Sequence, residues 1–186
     1  MPRRGAALII ANHQSMIDPV LVGMVTARGL TYLARKTLFR NPVFAWVIRT
    51  LQAIPVDQVG VAKEGMRAVL QGLAAGRAVL VFPEGARSED GKVAELMRGI
   101  ALLIERSKVP VVPVGIAGAF AALPRGRVWP KFSPLFLSAQ PSAVAVSVGV
   151  PIPHDELAKL SRDDLLTRLR QELIVAQTSA ERLQRK

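Results

Sequence analysis

The run Ala6-Ala-Leu-Ile-Ile-Ala11, closed by Asn12-His13-Gln-Ser-Met-Ile-Asp18, sets the reading of this chain. Small and branched apolar residues that give way at once to polar ones describe a strand buried on both faces, the habit of a parallel sheet covered by helices. The pattern recurs downstream. Thr31–Ala34, Ala53–Val56, Ala78–Phe82, Val111–Ile116 and Val144–Val148 are further short apolar runs, with a weaker pair near Val128–Phe136. Between them, Met66, Val69, Leu70 and Leu73 recur at i, i+3, i+4, i+7, as do Met97, Ile100, Ala101 and Ile104, so two amphipathic helices are expected on a sheet face. Ser161-Arg-Asp-Asp164 is a capping signature that opens a last helix burying Leu165, Leu166, Leu169 and Leu173, with a polar tail, Glu181 to Lys186, expected to fray. Strands alternating with helices predict an α/β fold: one domain with a largely parallel or mixed sheet of about six to eight strands.

Composition narrows the partners. The chain has 186 residues, with 25 Lys and Arg against 14 Asp and Glu, a formal charge of +11 that calls for an anionic partner: nucleic acid, an anionic membrane or a phosphate-bearing substrate. The hydrophobic half of the sequence excludes disorder. The absence of cysteine excludes a disulfide scaffold, a thiolate metal site and a cysteine nucleophile. Two histidines far apart, His13 and His154, make no metal-ligand set, and His154 reads as a helix-start residue. No run reaches the roughly 18 apolar residues of a spanning helix. The best candidate, Val43 to Val56, is broken by Arg49, Gln52 and Pro55. Met1-Pro-Arg-Arg-Gly enters the first strand too soon for a signal peptide.

Chemistry concentrates just after two of the strands, where open parallel sheets bind ligands. Imidazole exchanges protons near neutral pH and can act as a base on a hydroxyl, the more so when a carboxylate holds its other ring nitrogen. His13 and Asp18 supply that pair, with the residues between them forming a loop. The plain alternative is a strand-end histidine bonded to backbone and, before Pro19, an aspartate acting as helix N-cap. Phe82-Pro-Glu-Gly-Ala-Arg-Ser88 follows another strand. Gly85 lets the backbone turn or approach a ligand, and the Arg87 fork suits phosphate. Glu84 is placed to orient Arg87 or accept a bond from a substrate hydroxyl, or simply to pair with Arg87 in a turn. Ser88 lacks a nucleophile elbow and reads as a turn cap. Val109-Pro-Val-Val-Pro-Val114 reads as a buried strand with an irregular start, and Ile54-Pro-Val-Asp-Gln58 as a strand end on the same rim.

Together, Asn12–Asp18, Ile54–Gln58, Phe82–Ser88 and Val109–Val114 resemble, in order and separation, the four blocks of the lysophospholipid acyltransferase family, including its His-x4-Asp spacing. The likeness covers nearly the whole chain, residues 7 to 118 above all, and implies a glycerol-3-phosphate acyltransferase-like fold. It further implies an O-acyltransferase that turns 1-acyl-glycerol-3-phosphate into phosphatidic acid. His13 would be the general base and Asp18 its orienting partner. Glu84, Gly85 and Arg87 would hold the acceptor, and acyl-CoA or acyl carrier protein would donate without cofactor or metal. Gln58 stands where the family has arginine, a loss that Arg35 or Lys36 would offset, and Ala86 replaces a threonine. These changes leave open another acceptor, such as a lyso-aminolipid.

Residues 1–186 read as one acyltransferase domain, with the N-terminal hydrophobic helical segment of many relatives expected to be missing, since twelve residues precede His13. Attachment to the cytoplasmic face of an anionic membrane would then be peripheral. Asn41–Arg49, with Phe44, Trp46, Val47 and Ile48 beside Arg40, and Pro124–Phe132, with Trp129, are the candidate surfaces, the plain readings being a core helix and a basic hairpin. A non-catalytic lipid- or nucleic-acid-binding module rests on charge alone. The cations are spread along the chain, with no basic helix cluster or aromatic-laced RNA motif, so nucleic acid is not expected.

Overall fold

The computed structural model describes residues 2–26, 28–40, 42, 45, 46, 48, 52–56, 61–123 and 143–185. Strands β1 (Ala7–Ala11), β2 (Leu30–Arg35), β3 (Ala53–Val56), β4 (Ala78–Val81), β5 (Val111–Ala117) and β6 (Ala145–Val148) form one sheet in the order β3-β2-β4-β1-β5-β6. All pairings are parallel except β5 with β6, so the sheet is mixed. The chain is therefore the single α/β domain that strand–helix alternation predicts. The expected strands fall within a residue or so of the observed ones. The weak pair near Val128–Phe136 lies outside the described residues.

Every residue of β1 is buried because β1 has neighbours on both edges and helices on both faces. Alternation along the strand divides the core. Leu8 and Ile10 join Val69, Leu73, Ile100 and Ile104 with Leu165, Leu169 and Leu173 of the helix Arg162–Gln184. Ala7, Ile9 and Ala11 face the other layer with Val22, Tyr32, Leu80 and Val114. At about 25 cal/mol per Å² of buried apolar surface, each such branched side chain contributes roughly 1.5–3 kcal/mol.

Three helical expectations need correction. The helix carrying Ile100, Ala101 and Ile104 runs Gly99–Ser107, so Met97 stands outside it, 61% exposed. Its periodic spacing is outweighed by a bond that ties its backbone N–H to the Pro83 carbonyl at 2.8 Å. Residues 181–184 do not fray: the last helix extends to Gln184, whose side-chain amide donates to the Ala143 carbonyl at 2.7 Å. Asp18 does not cap the helix Asp18–Val25; Ile17 occupies the cap, and the Asp18 carboxylate is turned back toward the preceding loop. Ser161 does cap the last helix, accepting from the Asp164 N–H at 3.2 Å.

Candidate active site

The order β4-β1 brings together two loops that are about 70 residues apart in sequence. Ile10 pairs with Val81, so the chain leaves both strands side by side at their carboxyl ends, with Asn12–Asp18 on one and Phe82–Ser88 on the other. Asn12 extends the ladder with its side chain. Its amide donates to the Ile116 carbonyl at 2.9 Å and accepts from the Ile116 N–H at 2.7 Å, which fixes where the loop departs.

Past that anchor the chain folds around one oxygen. Asp18 Oδ2 accepts from the Gln14 N–H at 2.6 Å and the Ser15 N–H at 2.7 Å, and His13 Nδ1 lies 2.8 Å away. Asp18 is fully buried, whereas the His13 side chain is 20% exposed. An acceptor-only carboxylate facing Nδ1 places the proton there, because the oxygen needs a donor. Nε2, the outer nitrogen, has no hydrogen-bond partner among the described residues. The imidazole stacks on Phe82, centroids 4.0 Å apart and planes at 18°, so the second loop also orients the ring. The other Asp18 oxygen, Oδ1, is buried without a partner.

Glu84 differs from expectation. It neither pairs with Arg87 nor projects a free oxygen: Oε1 accepts from the His13 N–H at 2.7 Å and Oε2 from the Ala94 N–H at 2.9 Å. Its two oxygens are each taken by a backbone donor, one on the His13 loop and one at Ala94, so it clamps the two loops together. Burial pushes its carboxyl above the usual glutamate range, against the opposing pull of the Ala94 and His13 N–H bonds. Gly85 closes a turn on the Phe82 carbonyl at 3.1 Å with φ +74°, a conformation that disfavours side chains. Arg87 is partly exposed and forms no ion pair or hydrogen bond with another described residue. Ser88 caps a turn as expected, its hydroxyl accepting from the Gly91 N–H at 2.9 Å and donating to the Lys92 carbonyl. The Lys92 N–H, bonded in turn to Asp90, holds that carboxyl below its usual range.

Arg35 ends β2 and Lys36 opens the 3-10 turn Lys36–Arg40, on the same rim of the sheet but two strands from His13. Gln58, most of Asn41–Arg49 and all of Pro124–Phe132 lie outside the described residues, although Trp46 is 71% exposed while Ala45 and Ile48 are buried. His154 does open a short helix, His154–Leu157. No group of three or more His, Cys, Asp or Glu able to hold a metal occurs among the described residues. Sequence reasoning missed the supporting polar residues: Asn12, Gln14, Ser15 and Gln177. For the first three the signal was available, since they surround His13 in a block otherwise built to be buried.

Residues 1–117, which carry both loops, match the Acyltransferase family. The chain belongs to that family. Among curated acyltransferases, it is 26% identical over 153 residues to the 1-acyl-sn-glycerol-3-phosphate acyltransferase of Cocos nucifera, covering 81% of this chain and 47% of that one. To the enzyme of the same name in Saccharomyces cerevisiae it is 25% identical over 175 residues, covering 90% and 54%. The chain thus spans about half the length of these two relatives, and 34% of two chloroplastic ones. The crystal structure of the 1-acyl-sn-glycerophosphate (LPA) acyltransferase PlsC from Thermotoga maritima superposes with a TM-score of 0.75 at 26% identity, covering all of this chain and 69% of that one. The acyltransferase architecture therefore extends beyond the matched residues to the last helix.

Proposed function

We propose that this chain catalyses O-acyl transfer from an acyl thioester, acyl-CoA or acyl carrier protein, to the free hydroxyl of a lysophospholipid. The first acceptor is 1-acyl-glycerol-3-phosphate, giving phosphatidic acid. The observation that carries this reading is the 2.8 Å His13–Asp18 contact, which leaves Nε2 without a partner among the described residues on a side chain that is 20% exposed. Nε2 removes the acceptor's hydroxyl proton as its oxygen attacks the thioester carbonyl. The tetrahedral intermediate collapses, the C–S bond breaks, and the thiolate takes the proton back from the imidazolium. Asp18 keeps the proton on Nδ1 and offsets the charge that develops on the ring. Arg87, with no protein partner among the described residues, binds the acceptor's phosphate in a loop that Gly85 turns. Arg35 and Lys36 add positive charge on the same rim.

No described helix is long and apolar enough to cross a membrane. Peripheral binding at the cytoplasmic face of an anionic membrane is supported by the +11 charge and by two exposed methionines on the catalytic loops' flank, Met16 and Met97, at 37% and 61%. The reading requires no cofactor and no nucleic acid.

The test is thiol release from acyl-CoA, followed with a thiol reagent that a chain without cysteine cannot consume. Product is identified by mass spectrometry across lysophosphatidic acid and lyso-aminolipid acceptors. His13→Ala should abolish transfer in a folded protein, and undiminished turnover would remove His13 as the base. Arg87→Ala should raise the acceptor KM. An unchanged KM would end its assignment to phosphate, and a preference for the aminolipid would redirect the acceptor.

A further inference from the structure

Gly91 is where the last helix meets the candidate catalytic loop. Its carbonyl accepts two side-chain amides, Gln14 Nε2 at 2.7 Å and Gln177 Nε2 at 2.8 Å. Its N–H donates to Ser88 Oγ at 2.9 Å, and the Ser88 N–H donates to the His13 carbonyl at 2.7 Å. Gln14 in turn gives its backbone N–H to Asp18 Oδ2 and accepts from the Phe120 N–H through Oε1. Gln14 and Ser88, the two residues that flank this junction on the His13 side, are therefore both held by one residue, Gly91, through its carbonyl and its N–H.

Gln177 lies on a helix face that is otherwise built from Leu165, Leu169, Leu173, Ala176 and Ala180, all buried, and is itself only 8% exposed. An amide on such a face costs desolvation that leucine would not, unless its donors are used. They are used, on Gly91 and, at 3.3 Å, on Glu181. Arg170, two turns earlier on the same helix, reaches the carbonyls of Val93 and Ala94 at 3.3 Å, and it is the Ala94 N–H that engages Glu84. The helix thus grips the strap 91–94 at more than one point, and the strap grips both loops.

We propose that Gln177 is a positioning residue for the His13–Asp18 pair, acting through the Gly91 carbonyl. The inference rests on the reading of His13 as the base. It lies beyond the matched family region, which ends at residue 117. Without the Gln177 donor, the Gly91 carbonyl is free to follow Gln14 alone, and the backbone that presents Asp18 Oδ2 to His13 loses its outer support. Misplacement by a fraction of an ångström near reacting atoms lowers turnover on the order of tenfold without weakening substrate contacts.

The experiment uses the whole chain with Gln177→Met, which keeps length and packing but cannot donate, and Gln177→Glu as a second shape-conserving variant. Val175→Ala on the exposed side of the same helix is the control. The expected result is a kcat reduced about tenfold, KM values for acyl-CoA and lysophosphatidic acid unchanged, and shifted amide NMR signals of Gln14 and Ser15. Gln14→Met combined with Gln177→Met should be no slower than the slower single variant, because both act on one acceptor. An unchanged kcat, a loss appearing only in KM, or losses that multiply would overturn the proposal. The NMR comparison separates it from the function itself: if the chain transfers no acyl group, unmoved Gln14 and Ser15 amides still reject the coupling, and moved ones uphold it.

Discussion

Replacing Asp18 with asparagine isolates the charge of the carboxylate from its geometry. Asp18 Oδ2 faces three donors, the N–H groups of Gln14 and Ser15 and the His13 ring. An asparagine that turned its NH2 toward His13 would aim it at two backbone N–H groups as well, so the amide oxygen must take the Oδ2 position. Asp18→Asn therefore keeps the Nδ1–H tautomer, and what disappears is the negative charge beside the imidazolium that would form with His13 as the proposed base. With Nδ1 and Oδ2 2.8 Å apart, the charge centres lie roughly 4 Å apart. At an effective dielectric constant of about 20 that interaction is worth about 4 kcal/mol, or about a thousandfold in rate, of which the amide dipole retains a part. The NH2 group, left at the partnerless Oδ1 position, costs about 1–3 kcal/mol of stability. Thiol release at saturating lysophosphatidic acid should fall by about two to three orders of magnitude with little change in acceptor KM, while Asp18→Ala, which frees both backbone donors, should fall further. A kcat for Asp18→Asn within a few-fold of the parent would refute the electrostatic role, and Asp18→Ala outperforming Asp18→Asn would refute the locked orientation.

Two further perturbations follow from named contacts. Glu84→Gln must point its NH2 at either the His13 or the Ala94 N–H, so kcat should fall with acceptor KM unchanged; a rise in KM alone would restore Glu84 to the acceptor. Because burial raises the Glu84 pKa in the fold, the carboxyl's contribution to stability is present at low pH and lost as pH rises through the raised value. The parent should therefore gain melting temperature relative to Glu84→Gln as pH is lowered from neutrality toward the ordinary glutamate range, and an opposite trend would mean that the two N–H bonds outweigh desolvation. At Gly115, an added Cβ would stand 2.0 Å from the Ala176 backbone carbon, which no rotamer change relieves. Gly115→Ala should cost about 3 kcal/mol or more in chemical denaturation, and a neutral result would mean the helix rides higher on the sheet.

Much of this was legible because continuous apolar runs have few interpretations. Ala6–Ala11 could only be a buried strand, and polar residues placed directly after such strands marked the rim. The His13–Asp18 contact was legible as a possibility, since a loop of that length allows it, but the donors that enforce it were not. Backbone N–H groups carry no sequence signature, which is why Glu84 read as a partner for Arg87 and proved to be a partner for His13 and Ala94. Met97 misled for a related reason: its spacing suited a helix, and a single backbone bond to Pro83 held it out. Strand order was also hidden, because adjacency of β1 and β4 depends on which way the crossovers run rather than on either strand's composition. Gln177 gave no signal, one amide among the polar residues of a long amphipathic helix.

The seating of residues 162–184 across β5 has a consequence for how the molecule is made. During synthesis the first strand emerges early, yet the face that Leu8 and Ile10 present is covered in part by Leu165, Leu169 and Leu173. Until that helix leaves the ribosome, Val69, Leu73, Ile100 and Ile104 cover that face only in part, so the core closes late and from the far end of the described chain. The same event that completes the core also brings Gln177 to Gly91. A growing chain would thus acquire its finished rim and its finished hydrophobic interior in one step, and ribosome-bound intermediates should hold both loops without their final geometry.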